Sequence, residues 1–429
     1  MSEALSPQSS VLGPLAGLRV VELCDELGQY AGKLLADLGA DVIKVEPPEG
    51  SNARRVGPFA RDIPGPDRSL NFWYHNTNKR SVVLDYEPDD SRHRVGAADP
   101  YSHDLEVVRQ LILRADVLLD DRAPGRMDRL GLSHSVLSPQ SSVLIHCSIT
   151  PFGQTGPWKD YHSSDLVALA LGGPMAMNGY DAEDAPGAPP IRGHGDQGYN
   201  TACHHAVMGI LAALLHRDTA GEGQFIDCSM HECLSQTVEV GMPYWLYKRQ
   251  DVVRQTGRHA SAQRTEPWLF KAGDGRDLIL FGIGRDNTSW RRLKEWMQAS
   301  GFGMQLDEER FDSPQARQPG RGSPEAAEIN AEVRRFIAAH DADYVYRGGQ
   351  ERDQSWGVVR SPDETLADPH LHDRGFFVET TGEGTVGPVM MPGAPYMFSA
   401  TPWELRRPAP KLGEHTAEVL AELAAVKVT

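Results

Sequence analysis

Short apolar runs alternating with amphipathic stretches limit how this chain can fold more than any other feature. Leu18–Leu23, Asp41–Val45, Val82–Asp85, Asp116–Leu119 and Val143–Ser148 read as strands, with Gly28–Leu38 and Leu105–Ala115 between them as helices. A strand covered on both faces is apolar nearly throughout, and strands joined through helices run parallel, because each helix returns the chain to the same end of the sheet. The order predicts an α/β fold, with a Rossmann-like large domain built on a parallel sheet. No Gly-x-Gly-x-x-Gly follows the first strand, so its turn is poorly suited to a nicotinamide dinucleotide.

Candidate chemistry concentrates between Pro189 and Glu232. There Gly195-Asp196-Gln197-Gly198 forms a turn with Tyr199–Arg217 behind it as a helix, on which Ala202, Ala206, Ile210, Leu211 and Leu214 recur at helical spacing; Gly221 and Gly223 end it. Flanking glycines permit a tight turn and close approach by another molecule, and the positive end of a helix favours an ionised carboxylate. Asp196 thus has two readings, a helix cap or a carboxylate presented to a ligand. Arg54 and Arg55, and the Asn78-Lys79-Arg80-Ser81 run, suit either phosphate groups or a solvated basic loop. Cys203-His204-His205 and His231-Glu232-Cys233 have metal-ligating atoms but not structural-zinc spacing, and no metal is expected.

A chain of 429 residues is long enough for two domains or more. The net charge of −16 argues against nucleic acid or an anionic membrane surface as a partner, because the summed field repels phosphates. No apolar run approaches the ~18 residues of a membrane span, and the polar N-terminus has no signal-peptide pattern. Five cysteines, odd in number and far apart, suit reduced thiols in a cytoplasm. Residues 1–228 are expected to form the first part of the large domain, 229–265 a linker and 266–343 a smaller α/β domain, with a hairpin over Trp268–Ile283 and a helix over Trp290–Met297; 344–362 forms a second linker. Glu87–Asp104 and Asp312–Ala326 read as surface loops.

Taken in order, Leu15–Leu23, Leu34–Gly50, Asn76–Asp85, Pro124–Leu132, Gly153–Trp158 (GQTGPW), the Gly195–Gly198 turn, Gly221–Glu232, Asp368–Phe377 and Leu412–Leu420 resemble the family III CoA-transferases. That group contains formyl-CoA transferase, carnitine CoA-transferase and the alpha-methylacyl-CoA racemases, and the resemblance covers nearly the whole chain. It implies that coenzyme A enters as an acyl-CoA substrate and passes to a small carboxylic acid through an aspartyl anhydride and an aspartyl-CoA thioester on Asp196. Oxyanion donors would come from the N–H groups of Gly195, Gln197 and Gly198.

Ser164-Asp165 stands where the racemases carry His-Asp and formyl-CoA transferase carries Tyr-Glu, so Asp165 is an assisting catalytic residue or a helix cap. A racemase or isomerase is the alternative reading, and it lacks a histidine base at Ser164. For CoA, the resemblance implies Arg55, Leu84, Tyr86 and Arg129 as contacts. Three departures bear on this: Asp120-Asp121-Arg122 replaces Glu-Asn-Phe, Pro47 replaces an arginine and Glu26 replaces a glutamine. An added carboxylate at Asp121 is unfavourable beside CoA unless paired, with Arg122 as the expected partner, and a CoA-binding relative without turnover is the third reading. The formyl-CoA-transferase glycine loop has no counterpart, so oxalate and formate chemistry is not expected. The resemblance further implies that 363–429 returns to the large domain and that two chains interlock as a homodimer.

Overall fold

The computed structural model describes residues 13–87, 101–238, 240–317, 323–382 and 387–425. Six parallel strands, β1 (Arg19–Leu23), β2 (Asp41–Glu46), β3 (Arg80–Val83), β4 (Val117–Asp120), β5 (Ile145–Thr150) and β6 (Phe225–Ser229), lie in the order β3-β2-β1-β4-β5-β6. This confirms the Rossmann-like parallel sheet. Its order reverses between β1 and β4, where Val20 pairs with Val42 on one side and with Val117 on the other. At such a reversal the connections leave toward opposite faces and open a crevice beyond the carboxyl ends of the strands.

One face of the sheet packs Val21, Ile43, Val45 and Leu118 against Val108, Leu111 and Ile112 of helix α3 (Tyr101–Ile112). Each such side chain, fully buried, contributes ~1.5–3 kcal/mol relative to exposure. Helices α1 (Gln29–Asp37) and α5 (Gln197–Ala220) pack together, with α5 also on β5. Between them in sequence lie α2 (Leu70–His75) and α4 (Asp165–Leu171), and α6 (Met230–Gln236) follows β6. In α5 the buried residues include Ala202, Ala206, Ile210 and Leu214, the face read from the spacing. Helix α3 opens at Tyr101, inside the segment read as a surface loop, while 88–100 of that segment lie outside the described residues.

Beneath the β1–α1 turn sits a network of charges that the apolar pattern did not announce. Glu22, fully buried in β1, bridges Lys44 Nζ at 2.9 Å and Lys79 Nζ at 2.8 Å. Lys44 also donates to the Cys24 carbonyl, and Lys79 to the Gln29 carbonyl and Asn76 Oδ1. At Gly32 of α1 a Cβ would overlap Glu22 Oε2, so only glycine lets the helix lie this close. Arg54 is equally committed: it holds Glu46 through Nε at 2.6 Å and Nη2 at 2.8 Å, and its guanidinium lies over the Phe72 ring. Arg80 pairs with Asp41, Glu418 and Glu422. Phosphate binding is therefore not the role of Arg54, Lys79 or Arg80, because each buried cation must be paired where it lies.

The described residues divide into two compact units. One draws on Met1–Leu171, Gly195–Leu234 and Pro369–Thr429, and the other on Gly172–His194 and Ser235–Asp368. In the second unit β7 (Leu269–Lys271), β8 (Asp277–Leu280) and β9 (Trp356–Val358) form an antiparallel sheet, with β7 and β8 the expected hairpin. Helix α7 (Asn287–Ala299) starts in a capping box, where Asp286 accepts from Ser289 N and the Ser289 hydroxyl from Asp286 N. With α8 (Pro324–Ala338) and α9 (Ala342–Gln350) it encloses a core of Trp290, Trp296, Phe336 and Trp356.

Candidate active site

Gly195, at φ +79°, turns the chain into α5, and Asp196 occupies the position before the first helical residue. Its side chain makes no capping hydrogen bond. The cap comes instead from another helix: Asp165 Oδ1, at the start of α4, accepts from the Gly198 N–H at 2.7 Å. This close approach needs glycine at 198, where a Cβ would stand 3.0 Å from Asp165 Oδ1 and 3.3 Å from Leu234 Cδ1. The Gly198 N–H is thereby spent, which removes it from the expected oxyanion donors. Gly198→Ala is expected to lower activity at least tenfold while costing ~1–3 kcal/mol of stability, the usual penalty of overpacking. Steady-state rates beside a thermal melt check both, and an unchanged rate would mean the α4–α5 contact does not position the turn.

A cavity of about 550 Å³ lies at the reversal point of the sheet. Its walls come from the residues after β1 (Asp25, Glu26), after β4 (Asp121, Arg122) and after β5 (Pro151), with Lys159, Tyr161, His162, Tyr199 and Arg129. The Asp196 carboxylate stands in electrostatic reach of two wall residues. Burial, then the charges of Asp25 and Asp196, pushes the Glu26 carboxyl up, and burial, then Glu26, raises the Tyr199 phenol. His75 is also within reach of Asp196; burial holds it down to about 4, so it is neutral at physiological pH. A second cavity, of about 260 Å³, shares Asp25, Asn52 and Arg122 with the first and adds Arg55, Tyr86 and Glu87. The two form a groove along the carboxyl ends of β2, β1 and β4.

Residues proposed from the sequence fall into three groups. Arg55 and Arg129 are exposed and line this groove. Leu84 and Tyr86 are buried in the core cluster; Tyr86 also lines the smaller cavity and accepts from Arg122 Nη2 at 3.1 Å, whereas Leu84 lines neither. Asp121 and Arg122 act on the turn itself. Asp121 accepts from the N–H groups of Asp25 at 2.9 Å and Gly28 at 3.1 Å, fixing the β1–α1 turn. Burial, opposed by Arg122, pushes the Asp121 carboxyl up to about 7. Arg122 stands 4.0 Å from Asp121 and 2.9 Å from both Asp25 and Glu87, so it is not the close partner expected for Asp121. Backbone N–H groups take that part: Asp121 stands at the cavity wall, and its carboxylate accepts from the β1–α1 turn. Lys159, Tyr161 and Tyr199 were not singled out; lying just past the GQTGPW loop and the Gly195–Gly198 turn was their one signal.

Across residues 15–416 the chain matches the family model described as CoA-transferase family III. The chain belongs to CoA-transferase family III. It is 33% identical to succinyl-CoA:(R)-benzylsuccinate CoA-transferase subunit BbsE of Thauera aromatica, over 94% of this chain and 93% of that one. It is also 33% identical to the succinate–glutarate CoA-transferase of Agrobacterium fabrum, over 97% of each. Among solved structures, a CaiB/BaiF family protein from Brucella suis superposes with a TM-score of 0.78 at 28% identity, covering 96% of this chain and all of that one. Family III enzymes act on CoA thioesters. Among the described residues no group of three or more His, Cys, Asp or Glu side chains could hold a metal ion, and no helix is long and apolar enough to cross a membrane.

Proposed function

We propose that this chain moves CoA from an acyl-CoA donor to a carboxylic acid with Asp196 as nucleophile. What carries the reading is that Asp165 caps α5 while Asp196, at the N-terminus of that helix, stands beside the cavity wall formed by Glu26 and Tyr199. The carboxylate attacks the thioester carbonyl, giving a mixed anhydride and CoA thiolate. The thiolate attacks the aspartyl carbonyl, releasing the first acid and leaving an aspartyl-CoA thioester. An incoming carboxylate then reverses both steps, so each bond broken is matched by one formed. Relatives named for succinyl-CoA and for glutarate or benzylsuccinate point to a succinyl-CoA-like donor and a dicarboxylic acceptor.

Hydroxylamine added during turnover tests the reading. An anhydride or thioester at Asp196 yields a hydroxamate there, visible by peptide mass spectrometry, and an unmodified Asp196 under turnover would remove it as nucleophile. Exchange of the alpha hydrogen with solvent in the absence of an acceptor would instead favour the racemase reading.

Arg129, exposed in the groove, is assigned to a CoA phosphate. Arg129→Ala is expected to raise KM for acyl-CoA ~10–100-fold, the loss of one charge-assisted bond, with kcat within ~3-fold. A fall in kcat at unchanged KM would assign the arginine to the chemistry.

Assembly as an interlocked homodimer in the cytoplasm belongs to the same proposal. Exposed Leu215 (71%) and Tyr247 (87%) are apolar surface of the kind an interface covers. Native mass spectrometry is expected to give twice 47.2 kDa with no monomer on dilution to nanomolar concentration. A folded monomer would exclude the interlocked form.

A further inference from the structure

All five cysteines are free and buried, but two of them are neighbours beside the proposed nucleophile turn. Cys228, near the end of β6, and Cys233, in the first turns of α6, have their sulfurs 3.8 Å apart. A disulfide needs ~2.05 Å, so a movement of roughly 2 Å would join them. The segment between them is tied to its surroundings: the Glu232 N–H donates to Ser229 Oγ, and the His231 N–H to the Pro151 carbonyl. Met230 lines the large cavity, and Met230 and Leu234 both pack at Gly198, on the first turn of α5. The Cys228 thiol also reaches the Ala202 carbonyl on α5 at 3.6 Å.

We propose that Cys228 and Cys233 are a reversible oxidation site at which a small peroxide forms a disulfide that slows CoA transfer by drawing α6 toward β6 and shifting Met230 and Leu234 against the α5 N-terminus. The effect on transfer rests on the proposed function; formation of the bond does not. Cys233 is the attacking sulfur. The hydrogen bond shared with Cys228, opposed by burial and helped by the charge of His205, holds the Cys233 thiol below its usual range, while the same hydrogen bond and burial push Cys228 up. Cys233 thiolate attacks one peroxide oxygen and becomes a sulfenic acid, releasing hydroxide that leaves as water. Cys228 sulfur then displaces the sulfenic oxygen as a second water, giving the S–S bond. Two thiols and one hydrogen peroxide thus become one disulfide and two waters.

The test uses the full-length protein, reduced, freed of thiol and treated with a slight excess of hydrogen peroxide. The expected results are a mass lower by about 2 Da, a Cys228–Cys233 linked peptide after alkylation, and a transfer rate at least tenfold lower that dithiothreitol restores. Cys228→Ser should abolish the link and leave a sulfenic acid on Cys233 that dimedone traps. Both thiols still alkylated after peroxide, or oxidation confined to Cys24, Cys147 or Cys203, would overturn the site. A disulfide that forms with transfer unchanged would overturn its coupling to the nucleophile turn. Mass, alkylation and dimedone readouts need no substrate, so they judge the bond even if the transferase reading fails; hydrogen exchange at the Gly198–Ala202 amides, expected to change on oxidation, then reads the movement.

Discussion

Asp196→Asn is expected to abolish CoA transfer, with a fall in kcat on the order of 10⁴-fold or more, as for other covalent nucleophiles. The amide keeps the shape of the carboxylate but cannot form the anhydride. Affinity for acyl-CoA should stay within ~3-fold, because the groove contacts assigned to Arg55 and Arg129 are untouched and contribute binding that is uniform along the reaction. Folding should be equally indifferent. The α5 N–H at Gly198 is held by Asp165 and not by Asp196, so the substitution removes no cap there, and the melting temperature should move by no more than the ~1 kcal/mol of an ordinary substitution implies. Asp196→Ala repeats the experiment without the risk of deamidation back to aspartate. Turnover by either variant within tenfold of the parent would sink the assignment, and a large drop in stability would show that Asp196 serves the helix after all.

The second large effect is structural. Glu22→Gln is expected to cost ~3–5 kcal/mol, the penalty of removing one partner from a buried ion pair. Here a single carboxylate pairs with two ammonium groups in the interior. Burial pulls Lys44 down, but the Glu22 and Glu46 charges outweigh it and its pKa is raised, whereas burial wins at Lys79 and holds it near about 8. With Glu22 neutral, Lys79 is therefore the group that sheds its proton or draws water into the core. Adding Lys79→Met should recover part of the loss, since one uncompensated charge is then gone. Soluble yield and denaturant midpoints for the two single variants and the double one form the cycle. A Glu22→Gln protein within 1 kcal/mol of the parent would mean that water already reaches the network.

Much of this molecule was legible because its signals are local. Strand and helix periods are written in neighbouring residues, and five of the six strands of the parallel sheet follow from alternation; β6, only two of whose five residues are buried, did not show itself in the pattern. The start of α5 at the Gly195–Gly198 turn and its buried face were readable for the same reason.

What was not legible depends on partners far away in the chain. Asp165 and Gly198 lie 33 positions apart, and Asp121 and Asp25 lie 96 apart, so no window of sequence shows which carboxylate meets which N–H. Arg54, Lys79 and Arg80 carry the charge a phosphate site needs, yet burial obliges each to take a carboxylate from the protein itself. By itself the sequence determined the architecture and put Asp196 at the head of a helix. Tertiary structure alone decided that Asp196 does not cap that helix, that the groove's exposed cations are few, and that two thiols meet beside it, because hydrogen bonds and ion pairs in the interior are chosen by proximity after the sheet has closed.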